Sequence, residues 1–249
     1  MHGLELLKHA LKKEPELVLD MGVGRGGHAK AFIANGAKVV GVDVKLSPHE
    51  HKDYTHIQSA IERLEPQEDA EPFDIIWCCH TLEHLPNVQM FLRQIVPLLK
   101  DDGWLYIAVP SSSQDRIHIG HLTLWTPALL VYNLICAGWD CSDAEWYTRD
   151  QTIGLCMQKN LIEDMTWRTG TPAEEGFVNE YTPIPMRHES GAWWENNWPV
   201  KTMGRVIDPP LVTVGLTKSN LPPEVQLAFG PNPNLRKPPG EALCQDDSK

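Results

Sequence analysis

Leu17-Val18-Leu19-Asp20-Met21-Gly22-Val23-Gly24-Arg25-Gly26-Gly27-His28 is the stretch that decides the fold. A short apolar run ends on an aspartate and then breaks into glycines. Ala29, Phe32 and Ile33 follow at helical spacing. Strand, tight turn and helix in that order open a doubly wound α/β sheet, with a ligand expected beyond the carboxyl end of the strand. Glycines let the backbone approach a ligand closely, and the start of a helix offers free N–H groups. A glycine-rich turn without a ligand is the plainer reading.

Two kinds of ligand compete for this loop. Gly22, Gly24 and Gly27 satisfy G-x-G-x-x-G, a dinucleotide fingerprint that is weak when it stands alone. Asp20 tilts the choice, because a carboxylate just before the first glycine crowds a pyrophosphate and suits a cofactor carrying positive charge. The next apolar run, Lys38-Val39-Val40-Gly41-Val42-Asp43, ends on a second acid at the distance where a ribose hydroxyl pair is held.

The set D-x-G-x-G-x-G plus Asp43 resembles the class I S-adenosylmethionine (SAM)-dependent methyltransferases. The resemblance implies a Rossmann-like, mostly parallel sheet with an antiparallel closing strand. It implies that Asp20, Gly22, Gly24 and Gly26 hold the methionine end of SAM and that Asp43 takes the ribose hydroxyls. Ser59 and Ala60 would face the adenine, and Cys79 and His80 would line the near side of the cofactor. Ser59 stands where the family usually carries an acid for the adenine amino group; a hydroxyl can still bond an amine.

Later segments keep the family's order. Phe73-Asp74-Ile75-Ile76-Trp77-Cys78 reads as a buried strand, continuously apolar after its acid as parallel strands are. It runs into Cys79-His80-Thr81-Leu82-Glu83-His84-Leu85, and this L-E-H-L turn resembles the O-methyltransferases of quinone and sugar pathways. Val88, Phe91, Leu92, Ile95 and Leu99 repeat as one face of a helix, with Pro97 kinking its last turn and Asp101-Asp102-Gly103 ending it. Trp104 to Pro110 reads as the next strand. Thr126-Pro127 is a good helix start and Gly138 a stop. Trp139 to Trp146 and Ile153 to Met157 are expected to form the closing pair. At the front, Leu4, Leu7 and Leu11 form a helical stripe, expected to cover the cofactor site.

Residues 1–160 therefore read as a methyltransferase domain and 161–249 as an extension. Twelve of the 20 prolines fall in the extension, as do Trp193, Trp194 and Trp198. Its one clear strand pattern is Leu211 to Leu216. It is expected to pack on the core, flexible at its end, and it offers a surface for pairing with a second copy or simply a stabilising wrap. A net charge of −11 argues against a phosphate backbone as partner, since such binding rests on Lys and Arg. No apolar run is long enough to span a membrane. The start of the chain carries no signal-peptide pattern, and the six cysteines lack a C-x-x-C pair, so a reducing, cytoplasmic setting is expected.

For chemistry, His121 and His118 lie after the fifth strand, where acceptors bind in this fold, and an imidazole suits a general base. Hydrogen-bonding to a neighbouring loop is the alternative use of either ring. His80, Glu83 and His84 fall at i, i+3 and i+4. Some quinone O-methyltransferases use a related E-x-x-E-H set for a metal, but His80 replaces the first glutamate here. Glu83 and His84 read instead as a structural hydrogen-bonded pair, and no metal is assigned. The expected reaction is methyl transfer from SAM to a small polar acceptor, most simply a hydroxyl of a sugar or phenol. An amine acceptor, a non-catalytic SAM-fold binding protein and a nicotinamide-dependent oxidoreductase are the rival readings.

Overall fold

The computed structural model describes residues 3–45, 54–64, 70–111, 118–149, 151–165 and 181–182. In chain order the elements are α1 (Leu4–Leu11), β1 (Leu17–Met21), α2 (Gly27–Ala34), β2 (Lys38–Asp43) and β3 (Thr55–Gln58). They continue with β4 (Phe73–Cys79), α3 (Val88–Gln94), β5 (Leu99–Pro110), α4 (Pro127–Cys136), β6 (Glu145–Arg149) and β7 (Thr152–Gln158).

Seven strands form one sheet in the order β3-β2-β1-β4-β5-β7-β6. Each neighbour from β3 to β5 pairs in parallel, and β7 is antiparallel to both β5 and β6. This is the mostly parallel, doubly wound sheet with an antiparallel closing strand that the sequence implies. Because successive side chains point to opposite faces, apolar strands feed two cores. Leu19, Met21, Ile76, Ile107 and Leu155 pack with α3 and α4 on one face, while Val18, Ile75, Trp77 and Tyr106 pack with α1 and α2 on the other.

Local chemistry sets several boundaries. Thr126 caps α4 by accepting the Leu129 N–H at 3.1 Å, a contribution of about 1 kcal/mol. Asp74 at the start of β4 accepts the N–H groups of Glu16 and Leu17 and the Lys100 ammonium, fixing the entry of β1 against β4 and β5. These bonds outweigh the desolvation that pulls the other way, and they hold the Asp74 carboxyl below its ordinary range. Helix α1 lies against β5 and β7. Its buried centre is Leu6, Leu7 and Ala10, with Leu4 and Leu11 at the margin. Leu6 sits directly on the backbone of β7, where a Cβ on Gly154 would fall 2.5 Å from its Cδ1. His9, kept neutral by burial and by Lys13, shares a 2.9 Å hydrogen bond with the Tyr106 hydroxyl.

Three expectations change. Helix α3 stops at Gln94, and Val96–Leu98 is a single 3-10 turn; Pro97 ends the helix rather than kinking it, because its ring removes a donor. Leu99 is not on the helix face: it pairs with Phe73 as the first residue of β5, and Asp101-Asp102-Gly103 lies in a bulge within that strand. Trp139 to Ala144 is not strand. Its backbone turns on the Asp140 carboxylate, which accepts the Ser142 N–H, and the Trp139 indole donates to the Leu92 carbonyl. Of the segment after β7, Ile162 is buried, and Met165 and Tyr181 pack against the core. The expectations for Leu211 to Leu216, for Trp193, Trp194 and Trp198 and for a second copy lie outside the described residues.

Candidate functional site

Two groups of side chains meet at the carboxyl ends of the parallel strands. The first is built around the glycine loop. Gly22, Gly24 and Gly26 have φ of 80°, 51° and 71°, so the chain reverses in left-handed steps before α2 begins. The loop is pinned to the end of β2, since the N–H groups of Gly22 and Val23 both donate to the Val42 carbonyl. Gly22 has a second reason to be glycine: a Cβ there would overlap the Thr81 hydroxyl, which donates to the Met21 carbonyl at 2.9 Å. Thr81 closes the loop against β4, and sequence reading missed it because the contact spans 60 residues. Above Gly24 there is open space, with the Gly22 carbonyl at 3.9 Å as the nearest atom to a built Cβ.

Asp20 sits beneath this loop with 2% of its surface exposed. Burial first and the Asp43 charge second push its carboxyl up to about 8, and a bond from the Ala29 N–H only partly offsets them. Among the described residues its Oδ2 has no hydrogen-bond partner. A buried acid beside a second acid, with one oxygen unused, is a site that a cation would complete. Asp43 is oriented by backbone donors, Gly24 N–H at 2.9 Å and Lys45 N–H at 3.1 Å, which leaves its remaining lone pairs for a ligand. Ser59 follows in register: its N–H donates to the Asp43 carbonyl, and its hydroxyl donates to the Ala60 carbonyl at 3.0 Å. The Ser59 oxygen is therefore an acceptor for anything that binds there.

The second group lies at the ends of β4 and β5. Cys79 is partly buried beside Gly3, the residue preceding α1. Burial, with Asp20 and Glu83 nearby, holds its thiol far above the ordinary range, so it is a neutral wall and not a nucleophile. His80 has φ of 55°, unusual for a side chain of its size, and its Nε2 lies 3.3 Å from the Thr152 hydroxyl. Glu83 is fully buried, and among the described residues neither of its oxygens accepts a hydrogen bond. His80 Nδ1 is 3.3 Å from Glu83 Oε1 and His84 Nε2 is 4.0 Å from it. The expected Glu83–His84 hydrogen bond is therefore not made; His84 turns its Nδ1 to the Gly120 carbonyl at 2.8 Å instead.

That bond, with the Leu122 N–H donating to the Glu83 carbonyl, brings the loop before α4 onto this turn. The His121 ring stands 4.9 Å from His84 and 5.2 Å from His118. Desolvation first, then the neighbouring imidazoles against the pull of Glu83, set His121 below its ordinary range and keep a neutral ring. Ile119, Leu122 and Leu124 are exposed around it. Both sequence-chosen histidines thus join His80, Glu83 and His84. Among the described residues, Glu83, His84 and His121 could hold a metal ion, with donor atoms all within 4.8 Å of one another.

A doubly wound sheet closed by one antiparallel strand, with an acid and a glycine loop at the first crossover, defines the class I methyltransferase architecture. A family model described as "Methyltransferase domain" matches residues 3–151, and the chain belongs to that family. Among curated proteins it is similar to the ubiquinone biosynthesis O-methyltransferases of Glaesserella parasuis, 32% identical over 103 residues (36% of this chain, 44% of the relative). With that of Coxiella burnetii it is 30% identical over 142 residues (54% and 59%). The chain spans about half the length of these relatives. Among solved structures, the 1,6-didemethyltoxoflavin-N1-methyltransferase of Burkholderia thailandensis, bound to its substrate and S-adenosylhomocysteine, shares the fold. Its TM-score is 0.53 at 22% identity, covering 64% of this chain and 77% of that one. No helix among the described residues is long and apolar enough to cross a membrane.

Proposed function

We propose that this protein transfers a methyl group from S-adenosylmethionine to a hydroxyl oxygen of a small polar acceptor. The observation that carries the reading is Asp20: a carboxylate sealed under a glycine loop, raised by burial and by Asp43, with an oxygen left unbonded. A cation relieves that arrangement, and the two phosphates of a dinucleotide aggravate it. Family membership supports methyl transfer, and the names of the two ubiquinone-pathway relatives support oxygen as the acceptor.

S-adenosylmethionine, when bound, supplies an electrophilic methyl on a sulfonium for in-line displacement. The chain's own residues do the rest. Asp20 and the backbone of Gly22, Gly24 and Gly26 hold the cationic methionine end, Asp43 accepts from the ribose hydroxyls, and Ser59 and Ala60 border the adenine. Cys79 and His80 wall the near side. Positioning of two reactants is itself worth about 7–11 kcal/mol of barrier. His121, or His118 beside it, takes the acceptor's proton on a ring nitrogen; a general base adds about 10²–10⁴ in rate. The setting that fits is cytoplasmic, with a small molecule as partner, and residues 161–249 serve as an extension to domain 1–160.

Calorimetric titration with SAM, S-adenosylhomocysteine and NAD, on the natural protein and on Asp43→Ala, tests this. A hydrogen bond to a charged group contributes about 1.5–3 kcal/mol, so the variant binds SAM roughly tenfold or more weakly. Binding of NAD in place of SAM moves the protein to the oxidoreductases, and binding of neither leaves a fold without this chemistry. An acceptor screen with matched phenols and amines then separates oxygen from nitrogen methylation.

A further inference from the structure

Helix α1 is held differently at its two ends. At its start, Gly3 lies on the wall expected to face the cofactor: a Cβ there would fall 3.1 Å from the Cys79 Sγ and 3.6 Å from the Ala108 Cβ. Toward its other end, His9 reaches in among three strands. Its Nδ1 is 2.9 Å from the Tyr106 hydroxyl on β5 and 3.6 Å from the Cys156 Sγ on β7, and its Nε2 is 4.0 Å from Glu145 Oε1 on β6. Tyr106 and Cys156 are sealed from water, at 1% and 0% exposure. The Trp104 ring stands edge-on to His9 at 5.5 Å, with the Lys13 ammonium 3.6 Å from its centre. A hydroxyl and a thiol thus converge on one ring nitrogen, while a carboxylate that only accepts faces the other. The neutral ring with its proton on Nε2 suits all three. A second proton, on Nδ1, would turn the Tyr106 hydrogen away toward Trp77 and Trp104, and a buried hydroxyl that loses its acceptor costs free energy.

We propose that His9 is a proton-operated clasp: neutral, it docks α1 on β5 and β7, and its protonation frees the helix and with it the wall that Gly3 makes against Cys79. The charges around the ring favour the docked neutral form. Burial is the largest cause that sets His9 below its ordinary range, Lys13 and Lys12 on the same helix add to it, and Glu145 opposes them. Glu5, one turn back, is engaged by Lys8 at 3.1 Å. Freed from the sheet, the ring returns to about 6.5, so the undocked helix takes up the proton first. Docking is therefore fully present above that pH and weakens as pH falls through it, by at most about tenfold one pH unit below. The coupling of this clasp to a cofactor rests on the function proposed above; the clasp itself stands on the contacts of α1 and does not.

Cys156 reports the clasp, because it lies beside His9 in the core that α1 covers, whereas Cys78 and Cys141 belong to the opposite core. The full chain is treated at pH 7.5 and pH 5.5 with 2,2′-dithiodipyridine, which reacts with thiols in acid as well as neutral solution, and mass spectrometry identifies the labelled cysteines. The ratio of Cys156 labelling at pH 5.5 to that at pH 7.5 should be several-fold larger, up to about tenfold, in the natural protein than in His9→Asn, which keeps an acceptor oxygen and does not titrate. Cys78 and Cys141 stay protected throughout. His9→Lys, charged at both pH values, should label at Cys156 already at pH 7.5. Equal ratios in the natural protein and His9→Asn overturn the clasp, as does a protected Cys156 in His9→Lys or labelling of Cys78 and Cys141 in step with Cys156. S-adenosylhomocysteine titrated into the same samples should lose more affinity between the two pH values in the natural protein than in His9→Asn. Equal losses overturn the coupling to the wall. Absence of binding in both proteins at both pH values removes the cofactor reading, and the labelling still decides the clasp.

Discussion

The two halves of the site are made in different ways. At the ends of β1, β2 and β3, backbone frames two carboxylates, Asp20 and Asp43: left-handed glycines, N–H groups of Gly24 and Lys45 aimed at Asp43, and a loop tied to the Val42 carbonyl. At the ends of β4 and β5 the parts are side chains brought from separate turns, His80, Glu83, His84, His118 and His121, joined by two bonds between the turn and the loop. A backbone cradle suits a ligand whose shape never varies, and a side-chain cluster suits a partner that differs from one relative to the next. Substitutions in the two halves should therefore damage different quantities.

The largest effect is expected in the side-chain half. His121→Ala should lower kcat about 10²–10⁴-fold while leaving the SAM dissociation constant within about twofold, because in the proposed reaction the ring serves the acceptor side. Since the His121 ring is held below its ordinary range, desolvation being the first cause, the base stays neutral through physiological pH. The acid limb of the natural kcat/KM profile, which reports the free enzyme, should therefore fall below the ordinary histidine range near 6.5. Steady-state kinetics beside calorimetry read the split. An equal loss in SAM affinity would merge the two halves into one unit and remove the comparison.

The backbone half breaks at Gly22. Gly22→Ala places a methyl on the Thr81 hydroxyl at a φ of 80° and should cost SAM affinity about 100-fold, with a lower Tm. Thr81→Ala in the same chain should restore part of that loss, since it removes the two nearest atoms and leaves a Cβ contact of 3.0 Å beside the φ strain. A double-mutant cycle measures the coupling, and strictly additive losses would show that Thr81 is not what forbids a side chain there.

The same contrast explains what could be read before the structure. Asp20, the three glycines and Asp43 are legible because a strand, a turn and a helix come consecutively in the chain and the loop chemistry is written in order. The same applies to the Thr126 cap and the Gly138 stop. Thr81 was not legible, because its role is to fill the place of a side chain that Gly22 lacks, 60 residues away. Nor was the separation of Glu83 from His84: neighbours in sequence suggest a pair, and only the loop at Gly120 shows that His84 bonds elsewhere. The end of α3 is hidden in the sequence for a related reason. Leu99 continues a helical period, yet pairing with Phe73 in a bulged strand claims it first.

The smallest expected effect concerns protons at Asp20, and it discriminates between a carboxylate built for a cation and one that is merely buried. An acid raised to about 8 from an unfolded value near 3.9 binds its proton more tightly in the folded chain. The resulting penalty is absent below about pH 4, grows as pH rises toward 8 and is level above it, reaching the order of several kcal/mol. Asp20→Asn removes the ionisation, so its Tm relative to the natural protein should climb steadily between pH 5 and pH 8. A cationic ligand reverses the penalty by drawing the Asp20 proton off. At pH 7, SAM should therefore release a sizeable fraction of one proton on binding to the natural protein and a smaller fraction on binding to Asp20→Asn, whose affinity is also reduced. Calorimetry in buffers of different ionisation enthalpy counts those protons. Parallel Tm profiles for the two proteins, with equal proton release, would mean that Asp20 is ionised and already compensated without a ligand, and the cation would lose its strongest structural reason to bind there.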